Sequence, residues 1–188
     1  MSATERQFWN AYYRRNLTDS YPSPDPLLFE VVPPLFEMRP YRALDVACGL
    51  GQNALWLAGQ GYITDALDIS DIALTIGQAY ASRRGIGRMQ FIQADLDEYP
   101  LEQNEYDIVV VMRFIKRGLI PDLRAAVRPG GRLIYEAYNL HALAQHPDLD
   151  PEQTFRIGEL LGYFADWRIL YQTTTNGVSR LVALKPTN

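Results

Sequence analysis

Residues 43–54, ALDVACGLGQNA, bring an acid, a glycine turn and a helix start together in one short stretch. Asp45 interrupts the apolar run Ala43, Leu44, Val46 and Ala47, which reads as a short buried strand. Gly49 and Gly51 then let the backbone turn tightly and approach a ligand with no Cβ in the way, and Asn53 leads into a helical pattern. A carboxylate in a buried strand is costly unless something binds it, so Asp45 requires a partner.

Downstream, ITDALDIS (63–70) is a second strand-like segment carrying a second acid, Asp68, seventeen residues after Gly51. In a strand, helix, strand unit, an acid about 20 residues beyond the glycine loop lies where the hydroxyls of a bound ribose sit. Two nucleoside-like cofactor classes fit, dinucleotides and S-adenosylmethionine, and Gly49, Gly51 and Ala54 satisfy the loose G-x-G-x-x-A pattern. Charge separates them. A dinucleotide turn receives a negative pyrophosphate, which a neighbouring carboxylate would repel. S-adenosylmethionine carries an ammonium and a sulfonium and no phosphate, so Asp45 favours the methyl donor.

Five segments in order, all beginning within residues 41–131, resemble the class I S-adenosylmethionine-dependent methyltransferases. DVACGLGQNA is similar to their first motif, LDIS (67–70) to the second, and QADLDEYP (93–100) to the adenine-contacting segment. YDIVVVMRF (106–114) and VRPGGRLIYE (127–136) resemble their fourth and fifth strands. Within that superfamily the ACGLGQNA wording is most similar to the small tellurite-resistance-type enzymes. The resemblance implies that Asp45, Gly49 and Gly51, with Ala47 and Asn53 in the same loop, surround the methionine part. It implies that Asp68 takes the ribose hydroxyls, Ile69 packs on the adenine, and Asp95 and Leu96 contact the adenine edge. Met112 and Arg113 would lie near the sulfonium and the substrate entrance. Gln52 and Asn53 stand where the superfamily commonly has a third glycine.

Strand signals near 42–47, 63–68, 89–93, 106–111 and 131–137 alternate with helical ones near 53–60, 71–84 and 117–127, which implies a parallel α/β sheet. RPGG (128–131) stops the last of these helices. The tail WRILYQTTT, then NG at 176–177, then VSRLVALK reads as a hairpin. The expected fold is a single-domain, Rossmann-like, seven-stranded methyltransferase sheet, mostly parallel, with an antiparallel C-terminal hairpin strand and helices on both faces. Residues 1–40 form a front segment of helix and loop, rich in Phe8, Trp9, Tyr12, Tyr13 and Tyr21, ahead of the domain at 41–188. Two roles are open for it: a lid over the cofactor cleft, or a helix that Phe8, Trp9 and Tyr12 anchor to the core.

Composition bounds the function. With 188 residues, 47% of them hydrophobic, the chain can bury a core of its own. A net charge of −4 argues against a nucleic-acid footprint. The lone Cys48 excludes an internal disulfide, and no apolar run approaches membrane-spanning length. With no signal-peptide core in MSATERQFWN, a cytoplasmic enzyme is the default. The oligomeric state is open.

For the acceptor side, the long polar segment 137–155 presents Tyr138, His141 and His146, and a histidine there can serve as general base near neutral pH. With Arg113, Tyr138 and His141 are the catalytic candidates, whereas His146 reads as a surface residue. Arg113, Lys116 and Arg117 form a basic cluster suited either to an anionic substrate or to a solvated helix face. No metal is expected, since His141, His146, Asp148 and Asp150 meet no known ligand spacing. The amino-methylating signature N/D-P-P-Y/F is replaced by VMRF (111–114), Cys48 is misplaced for cytosine C5 chemistry, and no metal-binding acids of the catechol type are identified. A thiol, a chalcogen oxyanion or an easily ionised oxygen would need little acid or base help, because proximity and in-line orientation supply much of the rate. The reading is methyl transfer to a small molecule. It competes with a nicotinamide-dependent oxidoreductase and with a non-catalytic protein that keeps the cofactor site.

Overall fold

A computed structural model of the chain describes residues 3–16, 20–37 and 39–187. They form two compact units, 1–100 and 101–188.

The first unit begins with helix α1 (Ala3–Arg15), which buries none of its residues. A short helix α2 (Pro26–Val31) follows, started by Asp25, whose carboxylate accepts the Leu27 N–H while Pro26 occupies the first turn. Next come β1 (Arg42–Val46), α3 (Gln52–Gly59), β2 (Ile63–Asp68), α4 (Asp71–Arg83) and β3 (Met89–Gln93). The strands pair in parallel, Asp45 opposite Ala66 and Asp68 opposite Gln93, so both acids sit at or next to the carboxyl end of a strand. Ligands of open α/β sheets bind beyond those ends.

The second unit holds β4 (Tyr106–Met112), α5 (Ile120–Ala126), β5 (Val127–Tyr138), α6 (Glu159–Gly162), β6 (Arg168–Thr175) and β7 (Val178–Leu184). The sheet has seven strands in the order β3-β2-β1-β4-β5-β7-β6, and β7 runs antiparallel to both β5 and β6. The expected hairpin is present. Asn176 and Gly177 have φ of 52° and 73°, the two positive values that a two-residue turn of this hand requires.

Two boundaries differ from the sequence reading. The helix expected over 117–127 is a 3-10 turn at Arg117–Leu119 followed by α5, because Pro121 lacks an N–H and is accommodated only in a first turn. RPGG does not precede β5 but lies within it: Val127 pairs with Tyr106 and Arg132 with Ile108, so the intervening residues form an irregularity in the strand. The segment expected to be a long polar loop is folded on itself. It contains 3-10 turns at Leu140–Ala144 and Pro151–Gln153, and a bridge between Asn139 and the fully buried Phe155 joins its ends. Among the described residues no helix is long and apolar enough to cross a membrane.

Candidate functional site

In the first unit the glycine turn is tied to both strand acids. Ala47 has a φ of 54°, unusual for a residue with a side chain, and Gly49 and Gly51 follow at 58° and 80°. Gly51 is constrained twice, since a Cβ there would also lie 2.6 Å from the Phe91 ring. The Cys48 N–H continues the ladder to the Leu67 carbonyl at 2.9 Å, which sets the turn against the end of β2.

Asp45 is 1% exposed, and its carboxylate accepts the N–H of Ala54, an unpaired donor of the first turn of α3, at 3.0 Å. Burial pushes this carboxyl up to about 7; the Ala54 bond opposes the rise and the charge of Asp68 adds to it. The Asp68 carboxylate accepts the Gly49 N–H and the Ser70 N–H, each at 2.8 Å, and burial again raises its value against those bonds. Among the described residues neither acid is paired with a lysine or arginine. Their partners are neutral amides, so the negative charge at the turn is uncompensated.

Asn53 is buried, and its side-chain oxygen accepts the Asp25 N–H at 2.8 Å, linking the glycine-turn helix to the start of α2. Ile69 and Leu96 are buried after β2 and β3, and Asp95 shapes the turn that carries Leu96 by accepting the Asp97 N–H. Cys48 packs with Ala54, Ala66 and Leu74, and its thiol is pushed well above the usual range by burial, then by Asp45 and Asp68. It is a packing residue, not a nucleophile.

The aromatic front segment reaches this turn through residues that composition did not single out from their neighbours. Phe8, Trp9 and Tyr12 do not anchor α1 to the core; they are 62%, 37% and 45% exposed. Asn10 and Tyr13 make the contacts instead. The Asn10 side chain accepts the Ser70 hydroxyl at 2.7 Å and donates to Asp71 at 2.7 Å, gripping the start of α4. The Tyr13 hydroxyl lies against Gly49, where any side chain would project, and its value is raised by burial, then by Asp68, Cys48, Tyr12 and Asp45. The Tyr21 hydroxyl donates to the Leu50 carbonyl while its ring stacks on Tyr80 at 3.7 Å. Asn10 lies one turn before Tyr13 on one helix face, a spacing that could have marked the pair.

In the second unit, Met112 is half-buried at the end of β4 and Arg113 follows with a φ of 56°. Arg113 donates its N–H to the Glu136 carbonyl at 2.7 Å and its Nε to the Glu136 carboxylate at 3.3 Å. Tyr138 is half-buried, with the Arg113 guanidinium 6.0 Å from its ring centroid and the His146 ring at 5.7 Å. His146, not His141, is thus the histidine beside Tyr138. His141 is exposed on the 3-10 turn, its backbone N–H donated to the Asn139 side chain. Arg117 does not join a basic cluster: it binds Glu159 at 2.6 Å and the carbonyls of Glu152 and Thr154, holding that segment down.

Two strand-end acids around a glycine turn, in a sheet with a reversed terminal hairpin, are matched by known proteins. Residues 43–131 match the family model described as a methyltransferase domain. That stretch is just under half of the chain. The buried acids of the turn, bonded among the described residues by neutral amides, suit a cationic ligand. Among curated relatives, the chain is 34% identical over 142 residues to Hemagglutinin 1 of Eikenella corrodens, covering 71% of this chain and 46% of that protein. It is 31% identical over 106 residues to the ubiquinone/menaquinone biosynthesis C-methyltransferase of Methylobacterium nodulans, covering 51% and 41%. The chain thus spans less than half the length of these relatives. Among solved structures, a SAM-dependent methyltransferase from Methanosarcina mazei superposes with a TM-score of 0.69 at 18% identity, over 89% of this chain and all of that one. The likeness is one of fold.

Proposed function

We propose that this chain transfers a methyl group from S-adenosylmethionine to a small-molecule acceptor. When bound, the donor supplies an electrophilic methyl on a sulfonium, open to in-line displacement. One observation carries the reading: Asp45 and Asp68, both buried, hold the glycine turn through neutral amides and leave its negative charge for a cationic ligand. Asp45, with Ala47, Gly49, Gly51 and Asn53, would take the methionine end. Asp68 uses one lone pair of each oxygen on the backbone and keeps others for ribose hydroxyls. Ile69, Asp95 and Leu96 would line the adenine, and Met112 the sulfonium.

Arg113, Tyr138 and His141 belong to the acceptor side in this reading. A soft or already ionised acceptor, such as a thiol, a chalcogen oxyanion or an ionisable oxygen, asks least of them. The ACGLGQNA wording supports a tellurite-resistance-type enzyme within the class. Helix α1 would serve as a lid, with Tyr13 against Gly49 and Asn10 as its latch.

A thermal melt with S-adenosylmethionine, S-adenosylhomocysteine and NAD in parallel tests the reading. Ligand at about 100 times its dissociation constant adds roughly 2.7 kcal/mol and raises the midpoint by about 5–10 °C. A shift with the first two ligands alone is expected; a shift with NAD alone would overturn it. Tyr13→Ala tests the lid: donor dissociation several-fold faster at an unchanged melting temperature supports it, and an unchanged rate refutes it.

A further inference from the structure

Leu50 stands between the two glycines of the turn, and its carbonyl accepts the Tyr21 hydroxyl. The same peptide group is fixed at its other end, where the Gly51 N–H donates to the Cys48 carbonyl at 2.9 Å. Helix α4 makes room for this arrangement. Gly77 lies inside that helix, where glycine is a poor helix former, yet a Cβ there would collide with the Leu50 carbonyl and stand 2.6 Å from the Phe91 ring. Tyr80, three residues on and so on the same helix face, stacks on the Tyr21 ring with centroids 3.7 Å apart and planes 10° from parallel.

Stacking alone does not ask for the Tyr21 hydroxyl, because a phenylalanine ring would pack on Tyr80 equally well. Burial pushes that hydroxyl well above its usual range, with Cys48, Tyr80 and Asp45 adding to the rise, so it keeps its proton and remains a donor near neutral pH. The segment is fixed again four residues later, where the Asp25 N–H donates to the buried Asn53 side chain in the first turn of α3 at 2.8 Å. The turn is thus bonded at successive positions: Gly49 to Asp68, Leu50 to Tyr21 and Asn53 to Asp25. Two glycines in three residues leave such a backbone conformationally free, and freedom that a ligand must remove weakens its binding. A bond from outside the turn that removes it beforehand preorganises the site.

We infer that Tyr21 is a positioning residue for the donor: its hydroxyl, seated by Gly77 and Tyr80, fixes the Leu50–Gly51 peptide and so preorganises the glycine turn before S-adenosylmethionine binds. The assignment to that donor rests on the methyltransferase reading above. In this role Tyr21 acts on the donor only through Leu50.

Tyr21→Phe, which keeps the ring and removes only the hydroxyl, tests the inference in two measurements on the full chain: calorimetric titration with S-adenosylhomocysteine, and amide hydrogen exchange without ligand. The dissociation constant should rise about five- to tenfold, the range set by one lost hydrogen bond. The Gly51 N–H should exchange about tenfold faster while the amides of β1 and β2 keep the parent rate, a local change that a merely structural hydroxyl would not produce. Gly77→Ala, which pushes on the same carbonyl, should weaken binding as well, and adding Tyr21→Phe to it should cost less than about twofold more. Tyr21→Phe decides alone if Gly77→Ala does not fold. A dissociation constant within about twofold of the parent's, exchange that rises evenly across the unit, losses that add in full, or a Tyr21→Phe chain that does not fold would overturn the inference. A parent protein that binds no S-adenosylhomocysteine removes the methyltransferase reading, and the exchange rates then decide the brace on Leu50 by themselves.

Discussion

Both units end strands in buried acids, but they satisfy them in opposite ways. Around β1 and β2, Asp45 and Asp68 are bonded by the amides of Ala54, Gly49 and Ser70, which supply hydrogen bonds but no positive charge. In β5, Glu136 is bonded by the guanidiniums of Arg113 and Arg180, which bring positive charge to it. An amide-held acid remains a receptor for cations and titrates late, as the Asp45 value of about 7 records. An arginine-held acid has its charge answered by its own neighbours. The two units thus differ in whether a buried strand-end acid is met by neutral amides or by cationic side chains.

The largest expected effect would break the second half of this contrast. Glu136→Gln leaves two arginines facing a neutral group and should destabilise the fold by about 3 kcal/mol in urea unfolding, with donor affinity unchanged. Loss of donor binding in a folded Glu136→Gln protein would erase the distinction between the two ends. Next, Asp68→Ala should weaken S-adenosylhomocysteine binding about a hundredfold by calorimetry, since it removes a charged acceptor of two hydroxyls, with circular dichroism reporting a retained fold.

Asp45→Asn sharpens the comparison through pH. Folded Asp45 keeps its proton to higher pH than the unfolded chain does, so ligand-free stability falls as pH rises from about 4 to 7 and levels off above. Donor affinity runs the other way, because the ammonium prefers the ionised carboxylate, and should rise between about pH 6 and pH 8. The asparagine variant should lose both slopes and bind the donor about tenfold more weakly at pH 8. A parent affinity that is flat with pH would remove the charge argument for this turn. The smallest effect is at His141, which is exposed: His141→Ala should leave kcat within about threefold for an ionised acceptor, which needs no base. A larger loss would restore His141 as the proton acceptor.

Much of the architecture was legible in the order of residues. Ile63–Asp68 and Met89–Gln93 occur where apolar runs implied strands, and Asn176-Gly177 turns the hairpin as its dipeptide required. Errors arose where one residue acts on a longer element. Pro121 restarts a helix that apolar spacing made continuous, and the RPGG stretch interrupts a strand ladder instead of preceding it. The candidate site was read unevenly for the same reason. Asp45, Gly49, Gly51 and Asp68 lie on neighbouring elements of one strand, helix, strand unit. Tyr13 reaches that turn, and Asn10 the start of α4, from a helix whose most conspicuous aromatics point to solvent, and composition does not say which face of α1 will dock.

By itself the sequence determined the glycine turn, the two strand-end acids and the reversed hairpin. Each depends on conformational limits of adjacent residues or on the fixed length of a strand, helix, strand unit, and such constraints are local. Only the tertiary structure decided which charge answers which acid. Arg113 and Arg180 lie 23 and 44 positions from Glu136 in the chain and meet it through the ladders that β5 makes with β4 and β7. Arg117, four positions from Arg113, is drawn away to Glu159. Coulombic attraction selects among whatever partners the packed sheet brings within a few ångströms, and that set exists only once the strands have found their register.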